Sequence, residues 1–273
     1  MQIAPLPRGG RPGAGGVGAQ GAVDDVGEVS SEHAEGFESA ATASSRPDRC
    51  PASPPTTGQS RWLNSPVALT PPDFDRLLVP GTRVGAASGS GTVAEPLRTE
   101  LSLPSGEVVA SEWRWEPIGF TEIAPPGRYP VLLHPLVLDG GETRAPIPLA
   151  VRLVIRDRPV ASWTMALLPG QDPAELSEEG FYGFPVDGGE GSLIDAQYLR
   201  ELHETGTYHE FVDTAKIDLG FGELLEPSED EDGRQTVGFT IGCDGVYPTW
   251  IGHTADGDLA CYVIDLLELD ERT

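Results

Sequence analysis

The sequence predicts an α+β fold that is mainly β: antiparallel sheets in a sandwich-like arrangement, with one or two short helices near residues 195–225. Three observations lead there. From residue 99 onward, short apolar runs alternate with clusters of Gly, Pro and Asp, the pattern of strands and turns. One segment alone combines a strong helix cap with helical spacing of its apolar residues. Finally, 34 Gly and 26 Pro among 273 residues supply turns in a number that a helical fold would not tolerate.

The elements follow in order. Residues 99–103 and 107–113 flank Pro104-Ser105-Gly106, and the spacing predicts a hairpin. A strand over 129–138 ends at Asp139-Gly140-Gly141. Strands over 147–155 and 160–168 flank Arg156-Asp157-Arg158-Pro159, a second expected hairpin. In the first of these, Leu149, Val151, Leu153 and Ile155 alternate with Ala150, Arg152 and Val154, the period of a strand with one buried face. A helix begins at Asp195, repeats apolar residues at Tyr198, Leu199 and Leu202, and closes at Gly206. A weaker helix follows over 208–225. Strands return at 236–241, 249–253 and 259–267. Asp256-Gly257 between the last two predicts a two-residue hairpin with both residues at positive φ. Cys243 and Cys261 are expected to approach one another across it.

Residues 1–60 differ in kind. Gly, Ala, Pro and Ser fill 33 of the 60 positions, and Leu, Ile, Val and Phe only 7. Such a segment has too little apolar surface to offset chain entropy. We expect a disordered low-complexity tail over 1–60 and a single mainly-β domain over 61–273. No run of apolar residues is long enough to span a membrane. The N-terminus lacks the apolar stretch of a secretory signal, so a cytoplasmic setting is the expectation. Three cysteines with no CxxC pair point neither to a disulfide framework nor to a zinc site.

The net charge is −25, and it is unevenly placed. Residues 172–273 hold 25 acidic and 4 basic side chains, whereas 61–171 hold 11 and 10. So negative a surface repels nucleic-acid phosphates and anionic lipids. We expect neither nucleic acid nor membrane as a partner.

Several familiar motifs fail. Gly85-Ala-Ala-Ser-Gly-Ser-Gly-Thr92 lacks the Lys of a phosphate loop, and Pro96 blocks the helix that a dinucleotide fingerprint requires. The five histidines, His33, His134, His203, His209 and His253, show no metal-ligand spacing. No metal and no cofactor is expected, and no catalytic residue is assigned.

Two segments carry more than turns need. In Val186-Asp187-Gly-Gly189-Glu-Gly-Ser-Leu-Ile-Asp195, glycines permit a close backbone approach between two carboxylates. In Gly242-Cys-Asp244-Gly-Val-Tyr247-Pro-Thr-Trp250, a turn is followed by two flat amphipathic side chains. Caps, turns and core packing account for the same residue types. The candidate ligand- or partner-binding residues are Asp187, Gly189, Asp195, Asp244, Tyr247 and Trp250, and the two segments are expected to lie side by side.

Taken in order, Pro104-Ser-Gly-Glu-Val-Val-Ala, Pro126-Gly-Arg-Tyr-Pro-Val, Trp163-Thr-Met-Ala-Leu-Leu-Pro-Gly-Gln-Asp, the Asp187 segment and Gly245-Val-Tyr-Pro-Thr-Trp-Ile-Gly252 resemble a known family. It is the bacterial domain-of-unknown-function family numbered 4241, and the resemblance spans roughly residues 100–268. It implies no catalytic residue. The family usually reads Val-Asp-Ala-Gly-Thr-Gly where Gly188-Gly-Glu190 stands here, and Gly-Asp-Gly where Cys243-Asp244-Gly245 stands. Ligand contacts by those side chains therefore do not carry over.

The leading expectation is an intracellular, non-enzymatic binding module for a basic protein, of which an immunity protein masking a basic toxin is one form. The alternative is a hydrolase or metal-dependent enzyme using Asp187, Asp195 and Asp244, which requires those three carboxylates to converge.

Overall fold

A computed structural model describes residues 70–266 apart from 87–88, 113–115, 141–144, 177–180 and 220–222. The expected tail over 1–60 lies outside the described residues. A short helix α1 (Phe74–Leu77) is followed by strands β1 (Arg83–Ala86), β2 (Gly89–Val93), β3 (Leu97–Leu103), β4 (Val108–Ser111) and β5 (Gly127–Leu138). Next come β6 (Ile147–Val154), β7 (Ser162–Met165), β8 (Gly183–Val186) and β9 (Glu190–Asp195). Helices α2 (Ala196–Thr205) and α3 (Tyr208–Leu219) precede β10 (Leu225–Glu229), β11 (Gln235–Thr240), β12 (Gly245–His253) and β13 (Leu259–Asp265).

The strands form two antiparallel sheets. The larger runs β1-β2-β5-β6-β13-β12-β7, with β3 beside β5 and β8 beside β12. The smaller runs β10-β11-β9-β4. Their facing sides share one core, with Leu101, Val131, Val151, Ile251 and Tyr262 from the large sheet meeting Val108, Leu193, Val237 and Phe239 from the small one. Phe74, Leu77 and Leu78 cover the outer face of the large sheet. The apolar faces of α2 and α3 cover Val109 and Ile194 on the outer face of the small sheet. The result is a four-layered mainly-β α+β sandwich, in which both sheets are buried on both sides.

Strand alternation breaks at one informative place. His134 pairs with Ala150, but the next residue, Pro135, pairs with Pro148. Leu149 is thus the extra residue of a bulge. It packs in the outer cluster, while Val151 and Leu153 face the inter-sheet core. The single face expected for Leu149, Val151, Leu153 and Ile155 is therefore split, because one inserted residue reverses every side chain beyond it.

Neither of the first two expected hairpins forms. β3 pairs with β5, and β4 with β9, so Pro104–Gly106 is a corner where the chain leaves one sheet for the other. β6 and β7 do not pair; β13 and β12 stand between them. Turn residues mark where a strand ends, but the next partner is chosen by long-range burial. The glycine pattern that imitates a phosphate loop lies in an antiparallel pairing of β1 with β2.

The final hairpin does form, with His253 opposite Leu259. Its loop is one residue longer than expected. Gly257 N–H donates to the Thr254 carbonyl (2.9 Å), and Thr254 N–H to the Asp258 carbonyl (2.9 Å). Gly257 lies at φ 82°, the left-handed position of a three-residue loop. Cys261 pairs with Gly252, whereas Cys243 lies ahead of Gly245, where β12 begins. The expected approach of the two cysteines does not occur: Cys261 is a free, buried thiol, and Cys243 is disulfide-bonded.

A side chain at Gly257 meets no atom within 4 Å, so only backbone strain opposes it. Gly257→Val should cost about 1–2 kcal/mol, read as a lower urea midpoint at unchanged slope. A neutral result would show that the loop adopts another geometry.

Candidate functional site

The chain switches sheets at glycine corners, and two of these meet at one end of the small sheet. The first, residues 187–189, joins β8 to β9. The second, 241–244, joins β11 to β12. The Gly189 carbonyl accepts from both Ile241 N–H and Gly242 N–H, each at 2.8 Å. Gly189 itself lies at φ 69°, and a Cβ there would come to 3.4 Å from the Gly242 backbone. The positive φ favours glycine here, whereas a Cβ would make no more than an ordinary contact. β8 pairs with the start of β12, Gly245 opposite Val186. The two segments singled out in the sequence lie side by side.

The residues within them separate into three groups. Asp187 and Asp244 are exposed, and neither carboxylate has an ion-pair or hydrogen-bond partner among the described residues. The Asp187 backbone is held from below, its N–H donating to Glu112 Oε2 at 3.0 Å. Val246, next to this corner, is 50% exposed.

Tyr247 and Trp250 are core residues rather than contact surface. Tyr247 packs between the sheets near Phe184 (6.2 Å between ring centres) and donates its hydroxyl to the Cys243 carbonyl at 3.0 Å. Trp250, 3% exposed, points to the opposite face. Strand alternation over β12 makes this separation unavoidable: residues three apart face opposite ways.

Asp195 stands apart from the other two carboxylates. β9 runs from Glu190 to Asp195, five steps or about 17 Å, and Asp195 lies at the far end. It is 1% exposed. Oδ1 accepts from Gln197 N–H (2.9 Å) and Tyr198 N–H (3.3 Å), capping α2. Oδ2 accepts from Ser105 N–H (2.9 Å) and Ser105 Oγ (2.8 Å), fixing the corner between β3 and β4. No group of three or more metal-ligating side chains occurs among the described residues.

The two ends of the small sheet differ electrically. Near Asp195, carboxylates are matched by arginines. Arg200 pairs with Glu107 at 2.9 Å. Arg234 pairs with Glu201 (2.8 Å), Asp230 (2.8 Å) and Asp232 (2.9 Å), and its guanidinium lies 4.7 Å from the centre of the Tyr198 ring. Burial and the hydrogen bond to Asp230 push the Tyr198 hydroxyl pKa upward. Burial opposes ionisation of Asp230, but hydrogen bonds from the Arg234 backbone and side chain outweigh it and hold that carboxyl below its usual range. At the other end, Asp187, Asp244 and Glu223 carry no ion pair among the described residues. Glu223 belongs there because its carbonyl accepts from Thr240 Oγ1 (2.6 Å), and Thr240 pairs with Glu190.

Glu112, Glu223 and Val246 were not visible as site residues in the sequence. Glu112 meets Asp187 across 75 positions, and Glu223 reaches the same end only through strand pairing. A cavity of about 10 Å³ between Ser192, Thr236 and the helices lies elsewhere and has room for no more than one water.

The family described as a protein of unknown function, DUF4241, matches residues 101–264. No curated protein and no solved structure matches the chain.

These roles separate by mutation. Asp195→Ala should cost about 3 kcal/mol, because it removes a cap and orphans buried donors together. Asp187→Asn and Asp244→Asn should each change stability by less than about 0.5 kcal/mol. Urea denaturation of the three variants checks this; a stable Asp195→Ala would refute its structural role.

Proposed function

The chain belongs to the DUF4241 family, and we propose that this member is a non-enzymatic module that binds a basic protein through the acidic corner end of its small sheet. One observation carries the reading: among the described residues, carboxylates are neutralised by arginine at the Asp195 end and left unpaired at the Asp187–Asp244–Glu223 end. Unpaired carboxylates repel one another and steer a cationic partner toward them. The backbone bearing them is tied by the Gly189 and Glu112 hydrogen bonds, so little ordering is required on association. Exposed Val246 supplies apolar area beside the charges. Neutralising a basic toxin inside the cytoplasm is a role consistent with this surface.

The enzyme alternative loses its support from geometry. It needs Asp195 beside Asp187 and Asp244, yet Asp195 lies at the other end of β9 with both oxygens engaged. No helix among the described residues is long and apolar enough to cross a membrane.

The test uses proteins encoded beside this one in its genome, each expressed alone and titrated by calorimetry. A basic protein should bind, and raising salt from about 50 to 300 mM should weaken binding steeply. The triple variant Asp187→Asn, Glu223→Gln, Asp244→Asn should lose at least about tenfold in affinity, or ~1.4 kcal/mol. Failure of every basic neighbour to bind, or equal binding by the variant, overturns the proposal.

A further inference from the structure

The outer face of the large sheet holds an arrangement that stability alone does not ask for. Residues 72–82 cross it as a strap containing α1. Phe74, Leu77 and Leu78 are its apolar anchors, all buried, with Phe74 edge-on to Trp163 at 5.0 Å. One ion pair, Arg152 to Asp75 at 3.0 Å, ties it down. At its end, Gly81 N–H donates to the Val93 carbonyl (2.8 Å) and Val93 N–H to the Thr82 carbonyl (2.9 Å), pinning the strap to β2. Gly81 lies at φ 86°, with open space around its α-carbon.

The face beneath it is rich in unmatched polar atoms. Both ring nitrogens of His134, Arg152 Nε and Trp250 Nε1 are buried without a hydrogen-bond partner among the described residues. Val263 pairs with Arg152 on one side and with Trp250 on the other, so these side chains share one row of the sheet. His134 sits one strand over, facing the Leu78 backbone, and is 6% exposed. Each unmatched group forfeits its hydration while the strap is closed. Opening restores that hydration, against the exposure of the three anchors and of the apolar sheet face that they cover.

We propose that residues 72–82 open as a unit about Gly81 while the sheets stay folded, and that acid promotes the opening. Closure selects neutral His134: burial foremost, then the Arg152 charge, lowers its pKa from 6.5 to about 4. The charged and titratable groups facing it are Arg152 on β6, Asp75 on α1, and Cys261 and Asp265 on β13, the last buried and paired with Ala150, the residue opposite His134. The Cys261 thiol is pushed upward by burial and stays protonated throughout. The sign follows from linkage. Above pH 6.5, His134 is neutral whether the strap is open or closed. As pH falls through 6.5 only the open form takes up a proton, so opening gains until the closed form also protonates near pH 4. Between pH 7.5 and 5 the open population should rise roughly thirtyfold.

Hydrogen exchange on the full chain tests this. The reporters are the amides of Leu77 and Leu78, which bond to the Asp73 and Phe74 carbonyls, against those of Val151 and Val263 in the sheet. After correction for intrinsic rates, the strap amides should exchange at least about tenfold faster at pH 7.5, and rise a further thirtyfold or so by pH 5. His134→Leu should abolish the pH dependence. The surface variant Asp75→Asn should speed strap exchange at every pH and leave the sheet amides unchanged. Strap and sheet amides exchanging at one rate would overturn the proposal. So would a pH dependence that survives His134→Leu, or an Asp75→Asn strap no faster than wild type.

Discussion

The carboxylate of Asp195 is the interaction on which the rest of this structure depends. It ends β9, caps α2 and holds Ser105 at the corner between β3 and β4, all from a position closed to water. A buried carboxylate is costly unless its lone pairs are satisfied, and here four donors satisfy them. Those donors come from both sides of the small sheet's end, so one side chain fixes the direction of the helical layer and the place where the chain changes sheets. Satisfied in this way, Asp195 has no lone pair left for a substrate or a metal.

The same corners explain which parts of the fold were legible in the sequence. The type of most elements could be read locally: the capped helix from Asp195 to Gly206, the strand ending at Asp139-Gly140, the closing hairpin at Asp256-Gly257. Partners could not. Pro104-Ser105-Gly106 reads as a hairpin because turn chemistry is local, whereas the choice of β5 for β3 and of β9 for β4 is made by apolar faces far away in the chain. The pattern of a two-sheet sandwich is that strands consecutive in sequence often part company at a corner. Nothing in the corner's own residues distinguishes that outcome from a simple reversal.

The candidate site was legible to the same degree. The glycines at 188–189 signalled a close backbone approach, and the approach is there, onto Gly242. Its aromatic component was misread for a physical reason. Tyr247 and Trp250 sit three apart on a strand covered on both faces, so each is buried, in different cores. A strand with one solvated face would have put one of them in water. The double covering was foreshadowed by the near-continuous apolar character of β13 and β6, but only the small sheet and α1 in place show what covers them.

Charge placement is a separate matter from net charge. Solubility needs net charge, and it is indifferent to where that charge lies. The Asp195 end is as crowded with carboxylates as the corner end, and there a single guanidinium, Arg234, bridges Glu201, Asp230 and Asp232. Exposed ion pairs contribute little to stability. Among the described residues no arginine pairs with Asp187, Asp244 or Glu223 at the opposite end, and on these grounds the difference changes stability little. The three charges lie on corners whose backbones are already hydrogen-bonded.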